Sequence, residues 1–265
     1  MPSPPDNRRR LPGPGATVAL VLGGAILIAL VAVLATGMLS ADEGGTSGAN
    51  QAIRRQLAAP AATKAHQRDR DPIAVVVKPT ALLAKPGGRR IGRLSTKTEF
   101  KSARVVAVVG RRGAWLRVIT SELPNSKRGW IDAHDTQAGV TAYRVRADLS
   151  SRRIEIFRDG RVVRKIRSAV GESGTPTPTG RFAITDKVPF VDRGSPYGCC
   201  ALALSAHQPN TPSEWRGGDR IAIHATPATA SIGHPVTLGC MRVPAADARW
   251  LMQHVPLGTQ VSITA

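Results

Sequence analysis

Short apolar runs separated by glycine and proline extend from Ile73 to the end of the chain, and this pattern limits the fold more than any other feature. Between residues 73 and 136 the runs IAVVV, ARVVAVVG, AWLRVI and RGWIDA, with the turn-rich KPG and GGRR segments between them, predict about five strands of a small barrel. Three more strands are expected after Ala142, and the turn at residues 158–161 predicts a hairpin.

One amphipathic helix is expected near the C-terminus. It would begin at Pro244, since proline suits a first helical turn. Ala248, Leu251, Met252 and Val255 then follow at i, i+3, i+4 and i+7, so one face should be buried. A final strand, TQVSI, closes the chain. The fold class is therefore predicted to be mainly β with one short C-terminal helix.

The first 72 residues carry a different pattern. Residues 1–15 contain five prolines and three consecutive arginines, which predicts a disordered cytoplasmic tail. Residues 16–41 contain no charge and exceed the roughly 20 residues that span a bilayer. Arginines before this segment and acidic residues after it predict a transmembrane anchor with the remainder of the chain outside, although cleavage near Ser40 stays open. Residues 42–72 are expected to be a linker.

The residues with nucleophilic potential lie between Ile221 and Val243. His224 and Cys240 stand 240 − 224 = 16 residues apart. A thiol reacts as thiolate and has an ordinary pKa of roughly 8.5, so it needs a base such as imidazole. Gly239 would allow an unusual backbone conformation beside the thiol, and Arg242 would hold a carboxylate or lower the pKa of the thiol.

Cysteine and histidine also have common roles other than catalysis. A cysteine is often a buried core residue, so Cys240 alone does not establish catalysis. Cys199 and Cys200 are adjacent, and because vicinal disulfides are uncommon we expect two free small residues and no disulfide framework, with pairing to Cys240 left open. A zinc site would draw on His207, His224, His234 and Cys240. Their spacing matches no usual zinc motif, so no metal and no cofactor are predicted.

The segments IHAT, SIG and TLGCMRV, together with the upstream GTPTPTGRFAI, resemble the L,D-transpeptidase catalytic domain, a family of cysteine acyltransferases that act on bacterial peptidoglycan. The resemblance covers residues 141–265 and implies a β-sandwich. Two positions depart from the family pattern: Leu238 stands where many members have histidine, and Ala225 where glycine or serine is common.

The resemblance also implies roles for single residues. Cys240 would be the nucleophile and His224 its base. The backbone carbonyl of Ala225 would accept a hydrogen bond from the imidazole and orient it. Backbone N–H groups at Gly239 and Cys240 would stabilise an oxyanion. The residues expected to bind substrate are Arg242, Tyr197, His207 and Thr237. Residues 187–200 are expected to form a flap over the substrate.

The strands at Trp115 and Trp130 resemble a bacterial SH3-like domain over residues 73–137, although both tryptophans would also suit a plain core. Residues 73–136 carry thirteen Lys and Arg against four Asp and Glu, which is +9 of the chain's +19. A positive electrostatic field of this kind favours the binding of polyanions. No signature of nucleic-acid binding accompanies it, so the expected partners are peptidoglycan stem peptides, anionic cell-wall polymers and, through the anchor, the membrane.

Three functions fit these features. The first is an L,D-transpeptidase that forms crosslinks through a cysteine thioester. The second is an L,D-carboxypeptidase in which water resolves the same thioester. The third is a non-catalytic wall-binding protein, which the intact pattern of His224, Cys240 and Arg242 disfavours.

The uncharged run of residues 16–41 predicts that the C-terminus lies outside the cytoplasm. A reporter enzyme that is active only outside, fused after Ala265, should therefore be active in whole cells. A fusion that is expressed at full length but silent would contradict the predicted topology.

Overall fold

The computed structural model describes residues 69–192 and 194–265. The predicted tail, the predicted anchor and most of the predicted linker lie outside these residues. Within the described part of the chain, no helix is long and apolar enough to cross a membrane.

A seven-stranded sheet occupies residues 71–141, which we call the middle domain. Its strands are β1 (Asp71–Val76), β2 (Thr80–Leu83), β3 (Arg90–Leu94), β4 (Val105–Arg112), β5 (Trp115–Ile119), β6 (Gly129–Asp132) and β7 (Thr136–Thr141). They follow the order β3-β2-β6-β5-β4-β1-β7, and a 3₁₀ turn at Ala133–Asp135 joins β6 to β7. The sequence predicted about five strands. The first strand begins at Asp71, two residues before the expected start.

Alternation along these strands builds the core of the middle domain. Ala74 and Val76 on β1, Val118 on β5 and Ile131 on β6 are fully buried in one cluster. Their neighbours in sequence point to the opposite face, as the period of two requires. Trp115 and Trp130 are half-buried and lie outside this core cluster.

The second sheet begins directly after β7. Its strands are β8 (Tyr143–Asp148), β9 (Arg153–Arg158), β10 (Arg161–Arg167), β12 (Gly180–Pro189), β13 (Cys200–His207), β14 (Arg220–Ala225), β16 (Met241–Val243) and β17 (Gln260–Thr264). The order is β10-β9-β8-β17-β12-β13-β14-β16. Two short strands, β11 (Val170–Gly171) and β15 (Pro235–Thr237), pair separately, and helix α1 (Ala245–His254) precedes β17.

Strand β12 folds this sheet into two layers. Residues 180–183 pair with β17, whereas residues 184–189 pair with β13. Side chains from both parts, such as Ile154 and Ile156 on one and Leu202 and Ile223 on the other, bury themselves in one core. This two-layered β arrangement agrees with the expected sandwich.

The local features of the catalytic sheet follow the sequence pattern only in part. The hairpin between β9 and β10 is confirmed, and Asp159 and Gly160 have φ values of 47° and 76°, as a two-residue primed turn requires. Pro244 caps helix α1 and does not occupy its first turn. The loop expected from Lys187 begins only at Phe190, because β12 continues to Pro189 and pairs there with Cys200.

The middle domain packs against β12 through side chains from both domains. Ala107 and Ile119 from the middle domain form a buried cluster with Ala183 of β12. A buried hydrogen bond joins Thr98 to Asp186. These contacts make the middle domain a structural neighbour of the sheet that carries the candidate site.

Replacing Ile119 by alanine should therefore lower the free energy of unfolding by about 2–5 kcal/mol, because a side chain that is 2% exposed loses its contacts across the boundary. Urea denaturation measures this change. Val140→Ala serves as the control, since Val140 is 58% exposed and its truncation should cost within about 0.5 kcal/mol. Equal midpoints for the two variants would contradict the interface.

Candidate active site

Gly239 sets the shape of the loop that presents Cys240. Its φ is +112°, a value that side-chain-bearing residues rarely adopt. A Cβ atom there would lie 2.3 Å from Gln208 Nε2 and 2.9 Å from Ile221 Cδ1. The glycine before the cysteine is thus required by both conformation and space.

Hydrogen bonds from Thr237 and Thr177 hold this loop. Thr237 Oγ1 donates to Cys240 O at 2.6 Å and accepts from Gly239 N–H at 3.1 Å. Thr177 Oγ1 donates to Gly239 O at 2.8 Å, and Gln208 Nε2 donates to Leu238 O at 3.0 Å. Thr177 belongs to the TPTPT run, whose role in fixing the cysteine loop was not predicted.

Two expectations change as a result. Thr237 is buried and its hydroxyl is engaged within the loop, so it positions Cys240 instead of presenting a group to substrate. The Gly239 N–H already donates to Thr237, so it is not free to stabilise an oxyanion. The Cys240 N–H remains as the candidate donor.

Parallel pairing of β16 with β14 brings the candidate residues to one face. Ile223 pairs with Met241, His224 with Arg242, and Ala225 with Val243. Ile223, Met241 and Val243 point into the core, so the alternate residues His224 and Arg242 point to the other face. Cys240 comes two residues before Arg242, and its Sγ lies 3.9 Å from Arg220 O at the start of β14.

The imidazole of His224 is buried and has a defined tautomer. Its Nδ1 lies 2.6 Å from Ala225 O, which is the contact expected of Ala225. A carbonyl oxygen only accepts, so Nδ1 carries the proton and Nε2 of the neutral ring carries the lone pair. Burial lowers the pKa of His224 to about 4; the bond to Ala225 opposes this shift and the Arg242 charge adds to it. At neutral pH this ring is an uncharged base.

Burial also decides the state of the thiol. Desolvation raises the pKa of Cys240, while the Ala222 N–H and the Arg242 charge act in the opposite direction and are outweighed. Arg242 therefore has the electrostatic effect expected of it without making the cysteine a thiolate. At neutral pH the resting site thus holds a neutral thiol and a neutral imidazole.

Comparison with known proteins identifies this domain. Residues 142–263 match the family model of the L,D-transpeptidase catalytic domain. These residues belong to the L,D-transpeptidase family.

Two relatives carry the name L,D-transpeptidase YkuD. The Bacillus licheniformis protein is 34% identical over 122 residues, which are 46% of this chain and 66% of that protein. The Bacillus subtilis protein is 28% identical over 170 residues, which are 58% of this chain and 95% of that protein. A solved L,D-transpeptidase from Mycobacterium smegmatis has 17% identity and a TM-score of 0.40, over 62% of this chain and 92% of that chain.

The Tyr197 ring packs against the His224 imidazole in the L,D-transpeptidase domain. Its ring centroid lies 5.0 Å from that of His224 in an edge-on arrangement, and 5.3 Å from that of Phe190 in a stack. Burial raises the pKa of the Tyr197 phenol, and the proximity of Cys240 raises it further. The loop between β12 and β13 therefore brings Tyr197 next to His224 and Cys240.

His207 is engaged elsewhere. Its Nε2 lies 2.8 Å from Ser121 O of the middle domain, and its Nδ1 lies 3.0 Å from Asp219 Oδ2. It does not line the small cavity, about 40 Å³, that opens over Cys240, whereas Tyr197 does. The structure thus brings Cys240, His224, Ala225, Arg242 and Tyr197 together and places His207 at the domain boundary.

Cys199 and Cys200 form a disulfide between adjacent residues, where two free cysteines were expected. Cys200 begins β13 and is buried in the core, and Cys199 Sγ lies 3.9 Å from Ala245 O beside it. The disulfide therefore lies at the edge of the core, where Cys199 and Ala245 pack against the cluster that contains Cys200. Cys240 is the unpaired cysteine among the described residues.

The buried neutral imidazole predicts how stability varies with pH. The unfolded chain protonates His224 near pH 6.5, whereas the folded chain resists protonation down to about 4. Stability from this residue is thus complete above pH 6.5 and falls by about 3 kcal/mol as the pH approaches 4.

Denaturant unfolding at pH 7 and pH 4.5 measures this loss. His224→Gln should lose less stability than wild type over the same interval, because it lacks the buried group that resists protonation. His234→Gln removes an exposed histidine and should behave as wild type. An identical loss in wild type and His224→Gln would contradict the neutral buried ring.

Proposed function

We propose that this chain is an L,D-transpeptidase that crosslinks peptidoglycan through a thioester on Cys240. The observation that carries the proposal is the register of β14 and β16, in which His224 pairs with Arg242, two residues after Cys240. The Nδ1 contact with Ala225 O supports it, because it leaves the Nε2 lone pair of His224 without a hydrogen bond among the described residues. The family of residues 142–263 supports the same reaction class.

The neutral pair implies a defined order of proton transfers. As Cys240 Sγ attacks the carbonyl carbon of the third residue of a tetrapeptide stem, its proton moves to His224 Nε2 and the S–C bond forms. The Cys240 N–H donates to the developing oxyanion. His224 then returns the proton to the amine of D-alanine as the C–N bond breaks. No ion pair needs to exist before the substrate binds.

Arg242 is proposed to bind the carboxylate of the donor stem. It pairs with His224 across the two strands, and its charge acts on both His224 and Cys240. A guanidinium at this position favours a carboxylate and disfavours protonation of the base. Tyr197 is proposed to close the site over the bound peptide, because it packs directly on His224.

The rest of the chain is proposed to place this domain at the wall. Residues 16–41 would anchor the chain in the cell membrane with both β-domains outside. The middle domain, which we propose to be SH3-like, supplies much of the positive charge that would favour anionic wall polymers. In the alternative L,D-carboxypeptidase reaction, water takes the place of the acceptor amine.

Cys240→Ala should abolish both release of D-alanine from a tetrapeptide and covalent labelling by a carbapenem, because the attacking sulfur is absent. Cys240→Ser should also be inactive, since a hydroxyl is far less acidic than a thiol. His224→Ala should slow acylation by roughly 10²–10⁴-fold, the usual contribution of a positioned acid–base group. Mass spectrometry of the intact protein and of the released peptides measures each step.

Cys199→Ala with Cys200→Ala serves as the matched control, because it removes the other two sulfurs and should leave the reaction largely intact. A carbapenem adduct on Cys240→Ala, or D-alanine released by it, would show that the nucleophile lies elsewhere.

A further inference from the structure

A groove of about 680 Å³ lies where the middle domain meets the L,D-transpeptidase domain. One wall is the loop of residues 121–125, between β5 and β6, and the other is formed by residues 207–209 and Asp219. Gln208 and Asp219 also line the small cavity over Cys240. Because the two cavities share these residues, the groove opens beside the nucleophile.

The middle-domain wall of this groove is held in place by the catalytic domain. Asn125 Nδ2 donates to His207 O at 2.7 Å, and His207 N–H donates to Asn125 Oδ1 at 2.9 Å. The contact of His207 Nε2 with Ser121 O adds a third link across the boundary. A wall fixed at three points is preformed, as binding sites usually are.

The charge of the groove is opposite to that of the chain. Its described lining includes two carboxylates, Glu122 and Asp219, and no lysine or arginine, whereas the whole chain has 37 Lys and Arg against 18 Asp and Glu. Glu122 is paired with Arg104 at 2.7 Å. The Asp219 side chain is 51% exposed and bonds to His207 through Oδ2, so among the described contacts Oδ1 is open to a ligand. The groove therefore suits a cationic group.

The groove and Arg242 lie on opposite sides of the sulfur. Asp219 comes just before β14, Cys240 Sγ contacts Arg220 O at the start of that strand, and Arg242 pairs with His224 further along it. On one side of the sulfur, the Arg242 guanidinium suits the carboxylate of the donor stem. On the other side, the Asp219 carboxylate suits a second substrate that carries a positive charge.

We propose that this groove binds the acceptor stem peptide and that Asp219 holds its ammonium group beside the thioester. The inference rests on the proposed transpeptidase reaction. The ammonium first releases one proton to solvent. The neutral nitrogen then forms a bond to the thioester carbon as the C–S bond breaks. The nitrogen loses a second proton, which passes through His224 to the Cys240 sulfur and restores the thiol.

The test uses the full chain in detergent with a tetrapeptide donor and a stem peptide that carries a free amine. Mass spectrometry gives the ratio of crosslinked dimer to hydrolysed tripeptide. Asp219→Asn should lower this ratio roughly tenfold, because a charge-assisted hydrogen bond to the amine is lost. Asp219→Glu should recover most of it. Glu214→Gln removes a carboxylate from the same loop outside both cavities and should match wild type.

An unchanged ratio in Asp219→Asn would overturn the inference while leaving the proposed function intact. A wild-type protein that releases no D-alanine from the donor would overturn the proposed function, and the inference with it. A second measurement does not depend on how the variants fold. In wild type the KM for the acceptor should rise several-fold between low and high salt, since an exposed charge pair is screened. A KM for the acceptor that is independent of salt would also count against the groove.

Discussion

The parallel pairing of β16 with β14 is the contact on which the site depends. Successive side chains on a strand point to opposite faces, so a slip of one residue would bury Arg242 and expose Met241 and Val243. The core burial of Met241 and Val243 opposes that slip. The positive φ of Gly239 then turns the chain so that Cys240 joins the same face. Packing in the core thereby fixes the geometry of the chemistry.

Burial governs the charge state of the site more than any single charged neighbour does. It raises the pKa of Cys240 and lowers that of His224, so both groups are neutral at rest. Arg242 favours the thiolate and disfavours the imidazolium, but its effect on the thiol is smaller than that of desolvation. In the proposed reaction the thiol is activated by proton transfer to His224 Nε2 during attack, since Nδ1 already bonds to Ala225 O. The reactivity of the proposed site therefore depends on its geometry and on its low-dielectric surroundings.

Features encoded by neighbouring residues were accessible from the sequence. The hairpin at Asp159-Gly160 and the helix after Pro244 depend on few positions, and the structure contains both. The contact of His224 with Ala225 O was expected only from the resemblance to the L,D-transpeptidase family, and the structure contains it as well. Features made by distant segments were not accessible. The pairing of His207 with Ser121, the use of the Gly239 N–H by Thr237 and the burial that neutralises the thiol all depend on tertiary contacts. The strands β2, β3 and β7 were not predicted because alternation over four to six residues does not distinguish a strand from a loop.

The central claim is that Cys240 is activated by a neutral His224 that bears its proton on Nδ1. Long-range ¹H–¹⁵N NMR of the histidine rings, assigned with His224→Gln, tests it most directly because the nitrogen shifts distinguish the tautomers from the cation. At pH 7 the account predicts the neutral Nδ1–H form for His224, with the same form persisting at pH 5, above its pKa of about 4. An imidazolium signal from His224 at pH 7, or the Nε2–H tautomer, would contradict it.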